Sequence, residues 1–282
     1  MATVIQKTYI CCSLKIYNMR DLLTRSVSAL IYAAVFITAI FFSKESYLAI
    51  IGIFSLISLW EFSKIIQSKN YISFIILAVL STITVYVLDK EYPAILLAFS
   101  LFCLAILLYY LFSLKKIHYS NTQQKIFLKY IYIVLPFFYL AKLPFINSEY
   151  TPSIILYIIL LIWTNDSFAY LVGKNFGKHK LFEKVSPKKT IEGFLGGLLF
   201  AILAGFIIAK NSIIFSVADW IIIAIIVSIM GNLGDLVESK FKRQANVKDS
   251  GTIMPGHGGL LDRLDSLFFL APFVYLYIHY IM

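Results

Sequence analysis

The residues best suited to chemistry lie in one stretch near the end of the sequence, from Gly231 to Asp265. It reads GNLGDLVESKFKRQANVKDSGTIMPGHGGLLDRLD and concentrates carboxylates and basic residues in a chain that is otherwise mostly apolar. Its first half, Asp235 to Lys248, contains neither glycine nor proline, so we predict a helix there. Four polar side chains then share one helix face at i, i+3, i+4 and i+7: Asp235, Glu238, Ser239 and Lys242.

The second half of this stretch, from Ser250 to Gly259, is predicted to be a loop because it contains four glycines and a proline. Glycine allows the backbone to approach a phosphate closely, and His257 lies inside this glycine-rich run rather than on an apolar face. Helix is expected to resume after the loop. Asp262 and Asp265 then lie in its first turn, with Arg263 between them on a different face.

Carboxylates from two separate elements, with a hydroxyl nearby, are suited to a hard cation, because Mg²⁺ prefers oxygen ligands and usually keeps water and substrate phosphates in its shell. The surrounding basic residues are suited to the phosphates themselves: Lys242, Arg243, Lys248 and Arg263. The alternative is a solvated, charged loop between two membrane helices. The helical spacing of the carboxylates, the glycines and the setting of His257 favour a functional site.

A second cluster begins at Asp166, which follows Trp163-Thr164-Asn165 inside an apolar run. A carboxylate in or near the hydrocarbon of a membrane is costly, so it indicates function by default. The alternative is a residue that packs helices together by hydrogen bonding beside Asn165 and Ser167.

The loop after this run, GKNFGKHKLFEKVSPKKTIEG, combines glycines with six lysines. A phosphate-binding P-loop is rejected, because the spacing is one residue short and His179 stands where Ser or Thr is required. Thr190 is predicted to cap the next helix, with Glu192 in its first turn. Lys188 and Lys189 would then lie at a helix N-terminus, where anions are favoured, although a plain anchoring loop would also be rich in lysine.

Composition excludes a soluble domain, since 60% of the 282 residues are hydrophobic and only 14% are charged. We predict an all-α, polytopic integral membrane protein with about nine transmembrane helices, because a barrel would require alternating polar positions. The apolar runs are 26–43, 46–61, 71–88, 93–113, 126–141, 153–172, 191–209, 213–234 and 264–281. Trp60 and Glu61, at the end of the second run, are predicted to be interfacial.

Lysine and arginine alternate between the loops so that the N-terminus and both chemically rich loops are predicted to be cytoplasmic. The net charge of +10 is spread over short loops, which favours anionic lipid and phosphate-bearing substrates over nucleic acid. No internal repeat or linker is visible. We predict one membrane domain in which residues 1–150 are a transmembrane scaffold and residues 151–282 form the catalytic region.

The run SKFKRQANVKDSGTIMPGHGGLLDRLD resembles the signature of the phosphatidate cytidylyltransferases, also named CDP-diacylglycerol synthases. Met254 is a small departure, because that pattern usually has Leu, Ile or Phe there. The upstream block, from Asp166 to Lys178 and from Ser186 to Gly193, is similar to a second block of the same family. The resemblance covers about residues 163–266.

This resemblance implies transfer of a cytidylyl group from CTP to phosphatidic acid in the cell (inner or plasma) membrane, with Mg²⁺ and a possible second cation. The residues assigned to metal binding are Asp235, Asp262, Ser239 and Asp265. The residues assigned to catalysis are Asp235, Asp262, Lys242, Asp249 and Arg263. The residues assigned to substrate binding are Asp166, Ser186, Lys188, Lys189, Arg243, Lys248, His257, Gly258 and Gly259.

The implied partners are CTP and phosphatidic acid, without nucleic acid, and a homodimer stays open. The competing enzyme is a CTP-dependent polyprenol or phytol kinase of related sequence. A CDP-alcohol phosphotransferase would require the motif D-G-x-x-A-R, which the sequence lacks. A transporter is disfavoured, because transporters place their sites near the midplane at a repeat interface, whereas these charges gather at one membrane face.

Overall fold

The computed structural model describes residues 26–87, 94–254 and 258–282, and most of them are helical. The helices are α1 Ser26–Phe42, α2 Lys44–Ile65, α3 Ile72–Val87, α4 Ala94–Phe112, α5 Thr122–Lys129, α6 Leu135–Lys142, α7 Pro152–Phe176, α8 Ile191–Asn211, α9 Val217–Gln244 and α10 Leu261–Leu276. Two π-helical turns, Tyr130–Val134 and Tyr277–Ile281, join α5 to α6 and extend α10. The prediction of a mainly helical fold is confirmed.

Seven of the described helices are long and apolar enough to cross a membrane. They are α2, α4, the continuous α5–α6 helix, α7, α8, α9 and α10 with its π turn. Helices α1 and α3 are apolar but shorter. The chain is therefore a polytopic membrane protein, while the count of nine spans and the cytoplasmic N-terminus stay predictions.

Two short hairpins correct the expectation of a purely α-helical chain. Strands β1 Phe145–Ile146 and β2 Glu149–Tyr150 pair antiparallel, as do β3 Lys180–Phe182 and β4 Ser186–Thr190. The second hairpin is the lysine-rich segment that the sequence predicts to be a loop. Pro187 lies within β4 and has no N–H to donate, so it is incompatible with the interior of a helix.

Helix α8 begins where the sequence predicts. The Thr190 hydroxyl accepts a hydrogen bond from the Gly193 N–H at 3.1 Å, which satisfies one of the free backbone donors of the first turn. The hairpin therefore leads directly into α8, and Lys189 and Lys188 lie one and two residues before its cap, Thr190.

Helix α9 ends earlier than predicted. The sequence favours helix as far as Lys248, but α9 stops at Gln244. Asn246 has a φ of 56°, in the left-handed region, which ends a right-handed helix. The Val247 N–H then donates to the Lys242 carbonyl at 2.9 Å and the Asn246 N–H to the Arg243 carbonyl at 3.1 Å, which satisfies carbonyls that another turn would have used.

Helices α7 and α8 pack closely through glycine. A Cβ at Gly197 would lie 2.7 Å from the Asn165 carbonyl oxygen, and one at Gly193 would lie 2.7 Å from the Ala169 carbonyl oxygen. Small residues allow membrane helices to approach in this way. The close contact fixes the position of α7, which carries Asp166, relative to the hairpin and the start of α8.

The helices that carry the predicted site residues meet at one end of the bundle. Helices α2, α7 and α9 finish there, and α8 and α10 begin there, as contacts between Lys189 and Asp235 and between Glu61 and Leu261 show. The contact between Glu61 and Leu261 joins the predicted scaffold, residues 1–150, to the predicted catalytic region, residues 151–282. The division into these two regions stays a prediction. Glu61 is fully buried inside the protein, whereas Trp60 is exposed. The interfacial position of the two residues stays a prediction.

Candidate active site

The two clusters that the sequence separates share one cavity of about 480 Å³. Its walls come from α7, the β3–β4 hairpin, α8, α9 and α10. Asp166 lies ten residues and Asp235 nine residues before the end of its helix, so at 1.5 Å per residue the cavity reaches roughly 14–15 Å below the helix ends. Its charged lining residues are Asp166, Lys174, Lys188, Lys189, Asp235, Glu238, Lys242, Asp262, Arg263 and Asp265.

Three carboxylates from two helices form an acidic cluster: Asp235, Glu238 and Asp265. Each offers an oxygen within 4.8 Å of the others. Glu238 has an exposed fraction of 0%, and its Oε1 has no hydrogen-bond partner among the residues that the structure describes. A buried carboxylate oxygen without a partner is costly, and hard cations prefer oxygen ligands. The acidic cluster therefore fits Mg²⁺.

Lys242 connects the acidic cluster to the start of α10. Its Nζ lies 2.6 Å from Glu238 Oε2 and 2.6 Å from Asp262 Oδ1. Both bonds are charge-assisted and largely shielded from water, which strengthens them. The predicted phosphate-binding lysine is therefore held between two carboxylates, one on α9 and one on α10.

Asp262 lies beside the acidic cluster rather than within it. Its Oδ1 faces Lys242, and its Oδ2 accepts hydrogen bonds from the backbone N–H groups of Ser250 at 2.9 Å and Gly259 at 2.8 Å. Through these three partners Asp262 organises the connection between α9 and α10. Its assignment as a metal ligand stays a prediction.

The lysine-rich hairpin contacts the acidic cluster directly. Lys189 Nζ lies 2.6 Å from Asp235 Oδ2 and 3.3 Å from Asn232 Oδ1. Ser239 Oγ donates to the other oxygen of Asp235 at 3.1 Å, as their spacing of one helical turn allows. Lys189, which the sequence assigns to substrate, therefore also orients a predicted metal ligand.

Asp166 lines the cavity. The alternative interpretation of Asp166, a residue that packs helices together by hydrogen bonding, applies instead to its neighbour Asn165. Asn165 is buried, and its Oδ1 accepts a hydrogen bond from Ser228 Oγ on α9 at 2.6 Å. Its Nδ2 donates to Asp166 Oδ1 at 3.1 Å. Asn165 thus joins α7 to α9 and orients Asp166 at the cavity wall.

Several predicted site residues lie outside the cavity lining of the described chain: Ser186, Ser239, Arg243, Lys248, Asp249, Gly258 and Gly259. Arg243 Nη1 donates to the Val247 carbonyl at 3.0 Å and so supports the end of α9. Gly258 has a φ of +88°, which favours glycine. His257 lies outside the described residues.

Sequence reasoning missed the role of Glu238 and the contributions of Lys174 and Asn232. Glu238 carried a usable signal, since it follows Asp235 by three residues on the same helix face. Lys174 and Asn232 carried none, because only the packing of α7 and α9 brings them to the cavity.

The fold and the site together define a polytopic membrane protein with a deep cavity in which carboxylates and lysines are paired. The chain belongs to the cytidylyltransferase family, whose family model matches residues 23–281. The resemblance seen in the two sequence blocks is therefore confirmed, and it extends over the helices that precede them.

Named relatives agree with this family. The chain is 34% identical over 266 residues to the phosphatidate cytidylyltransferase of Bacillus subtilis (strain 168), which covers 91% of this chain and 97% of that protein. It is 46% identical over 143 residues to the enzyme of that name from Staphylococcus saprophyticus, covering 50% of this chain and 53% of the relative. With the Staphylococcus haemolyticus protein it shares 51% identity over 120 residues, 42% of this chain and 46% of the relative.

Proposed function

We propose that this chain transfers a cytidylyl group from CTP to phosphatidic acid, which yields CDP-diacylglycerol and pyrophosphate. The observation that carries the proposal is the junction of the lysine-rich hairpin with the acidic cluster in one cavity, through Lys189 and Asp235. The names of the relatives support the same reaction.

The reaction requires charge neutralisation more than proton transfer. An oxygen of the lipid phosphate attacks the α-phosphorus of CTP, and the bond from that phosphorus to the oxygen bridging the β-phosphate breaks as pyrophosphate leaves. A phosphate monoester is already largely ionised at pH 7, so no general base is needed. The site must instead hold two anions together and stabilise the charge that develops on the leaving group.

The side chains of the cavity are arranged for this task. Lys174 of α7 and Lys188 of the hairpin line the cavity, as does Arg263 at the start of α10. We assign the triphosphate to the hairpin lysines and the lipid phosphate to Arg263, because a guanidinium binds phosphate through two parallel hydrogen bonds.

A cation is required to complete the charge balance. The lining contains five acidic and five basic residues, so its formal charge is zero, and two phosphate substrates would leave it strongly negative. Asp235, Glu238 and Asp265 are the residues that would hold Mg²⁺, which when bound polarises phosphoryl oxygens and neutralises their charge. Lys189 and Ser239 orient Asp235 for this role.

A second, apolar cavity adjoins the first and suits the lipid. It has a volume of about 170 Å³ and shares Ile162, Trp163 and Arg263 with the larger cavity. Its other walls come from α1, α7 and α10 and include Ala29, Tyr32, Phe36 and Leu267. We propose that the first part of an acyl chain lies here while the phosphate of the same lipid contacts Arg263.

The proposed orientation puts the larger, charged cavity on the cytoplasmic side of the cell membrane. The hairpin that lines it contains Lys180, Lys184, Lys188 and Lys189, and cytoplasmic loops carry an excess of lysine and arginine. CTP would then reach the site from the cytoplasm, and the lipid would reach it from within the bilayer.

The test is label transfer by the purified protein with phosphatidic acid, CTP and Mg²⁺, with and without EDTA. We expect label from α-labelled CTP in a CDP-lipid, label from γ-labelled CTP in pyrophosphate, and neither product with EDTA. Label from γ-labelled CTP in lipid would identify a lipid kinase instead. Absence of lipid-linked label from both forms of CTP, under conditions in which the Bacillus subtilis relative is active, would overturn the proposal.

A further inference from the structure

Glu61 is a buried carboxylate that the proposed reaction does not use. It lies in α2, in the part of the chain predicted to be a scaffold, and its exposed fraction is 0%. It belongs to the described lining of neither cavity. A carboxylate is costly to bury unless several donors surround it, so its partners indicate what it holds.

Those partners are far away in the sequence and belong to the catalytic region. Glu61 Oε1 accepts a hydrogen bond from the Leu260 N–H at 3.1 Å, and Oε2 accepts from the Leu261 N–H at 2.7 Å. Leu260 is the N-cap of α10 and its side chain makes no capping bond. Glu61 therefore supplies, from another helix, the acceptor that the start of α10 lacks, and a negative charge there is favourable.

Two glycines make room for this carboxylate. A Cβ at Gly251 would lie 2.3 Å from Glu61 Oε1, and a Cβ at Gly259 would lie 2.5 Å from Glu61 Oε2. Both distances are shorter than any side chain permits. These glycines, which the sequence suggests are there for a phosphate, allow the connection between α9 and α10 to close around Glu61.

A second carboxylate holds the same connection from the side of the cavity. Ser250 donates its hydroxyl to Glu61 Oε2 at 3.1 Å and its backbone N–H to Asp262 Oδ2 at 2.9 Å. Asp262 in turn contacts Lys242 at 2.6 Å. A continuous series of hydrogen bonds thus runs from α2 through Ser250 and Asp262 to the lysine beside the acidic cluster.

We infer that Glu61 is a positioning residue, which fixes the start of α10 and thereby the placement of Asp262 against Lys242. Its effect on turnover rests on the proposed function, but its effect on the connection does not. Loss of the Glu61 carboxylate would release two backbone donors and the Ser250 hydroxyl while every residue of the cavity lining stays in the chain.

The first experiment measures hydrogen–deuterium exchange in the full-length protein for wild type, Glu61→Gln and the control Glu45→Gln. Glu45 lies in the same helix, but its side chain is 64% exposed. We expect faster exchange in Glu61→Gln at peptides covering 248–254 and 258–266, with α7 and α8 unchanged, and no change in Glu45→Gln. Exchange in Glu61→Gln that equals wild type would overturn the inference.

Ser250→Ala keeps the test decisive where Glu61→Gln does not fold. It removes one of the three donors to Glu61 while the two backbone donors stay, so a smaller increase in exchange is expected at the same peptides. Wild-type exchange in Ser250→Ala together with an unfolded Glu61→Gln would show a merely structural carboxylate, which also overturns the positioning role.

The second experiment measures cytidylyl transfer against Mg²⁺ concentration. Outer groups that orient a metal site typically change metal affinity or activity by roughly 10- to 100-fold, and we expect Glu61→Gln to raise the half-saturating Mg²⁺ concentration in that range, with partial recovery in Glu61→Asp. An unchanged Mg²⁺ dependence would contradict this part. If wild type makes no CDP-lipid, the proposed function fails while the exchange result still decides the role of Glu61.

Discussion

At the scale of single residues, Glu238 distinguishes a metal-binding interpretation of the cavity from a purely structural network of ion pairs. Its Oε2 contacts Lys242, but its Oε1 is buried without a partner in the described chain. An ion-pair network alone would leave that oxygen uncompensated, whereas a bound cation would use it. Glu238 is therefore the residue on which a structural and a metal-binding interpretation of the cavity differ most.

We expect Glu238→Gln to lower kcat/KM at least about 100-fold, the loss typical of removing one electrostatic contact from a reaction centre. The amide has the shape of the carboxylate but lacks its charge, so the acidic cluster would bind Mg²⁺ more weakly. The measurement is label transfer over a range of Mg²⁺ concentrations. Glu149→Gln, an exposed glutamate of β2, is the matched control, and equal activity in the two variants would remove Glu238 from the site.

The two adjacent hairpin lysines are expected to differ. Lys189 contacts Asp235 at 2.6 Å, whereas Lys188 lines the cavity and is more exposed. We expect Lys188→Ala to raise mainly the KM for one anionic substrate, by roughly tenfold, since losing a charged hydrogen bond costs about 1.5–3 kcal/mol. Lys189→Ala should also lower kcat, because Asp235 loses a partner.

Steady-state kinetics with CTP and phosphatidic acid varied in turn distinguishes the two lysines. Lys184→Ala, in the exposed turn of the same hairpin, controls for the loss of a positive charge. If all three variants behave alike, the hairpin serves only to anchor the chain at the membrane surface.

At the scale of elements, the junction of α7 with α8 depends on glycine at positions where another side chain cannot fit. We expect Gly197→Ala to destabilise the protein by about 1–3 kcal/mol, because its Cβ would lie 2.7 Å from the Asn165 carbonyl oxygen and overpacking of this kind forces the backbone apart. The movement would also displace Asp166. Thermal unfolding in detergent measures the change.

Gly231→Ala is the control for that substitution. Its Cβ would lie 3.7 Å from the nearest atoms, which is ordinary contact, and alanine is about 1 kcal/mol better than glycine inside a helix. We expect unchanged or higher stability. A similar loss of stability in Gly197→Ala and Gly231→Ala would mean that close packing of α7 on α8 is not the cause of the destabilisation.

The elements themselves were largely accessible from the sequence, because apolar runs and caps are local signals. Thr190 was identified as a cap from its position alone, and the structure confirms it. The early end of α9 was not accessible, since nothing local requires Asn246 to adopt a left-handed backbone. The β3–β4 hairpin was missed for a related reason: its strands are short and lack alternating apolar residues.

At the scale of the whole molecule, the candidate site was predictable in its residue types but not in its pairings. The sequence placed Asp235 and Lys189 in separate clusters. They are 46 residues apart, and no local pattern shows that they form an ion pair. The contacts of Glu61 were still less predictable, because its partner Leu261 lies 200 residues away in the sequence. Such contacts arise from helix packing, so the sequence identifies the participants and only the fold identifies their partners.

The apolar cavity gives a prediction that involves three helices and both substrates. Ala29 of α1 is exposed at the rim of this cavity, so Ala29→Phe should narrow it without disturbing the core. Excluding two methylenes of an acyl chain would cost about 1.6 kcal/mol at ~0.8 kcal/mol each, which corresponds to a roughly tenfold higher KM for long-chain phosphatidic acid. The KM for CTP and the use of a six-carbon dihexanoyl substrate should change little. Ala34→Phe, on the same helix but outside the cavity lining, should resemble wild type, and an equal change for short and long chains would place the lipid elsewhere.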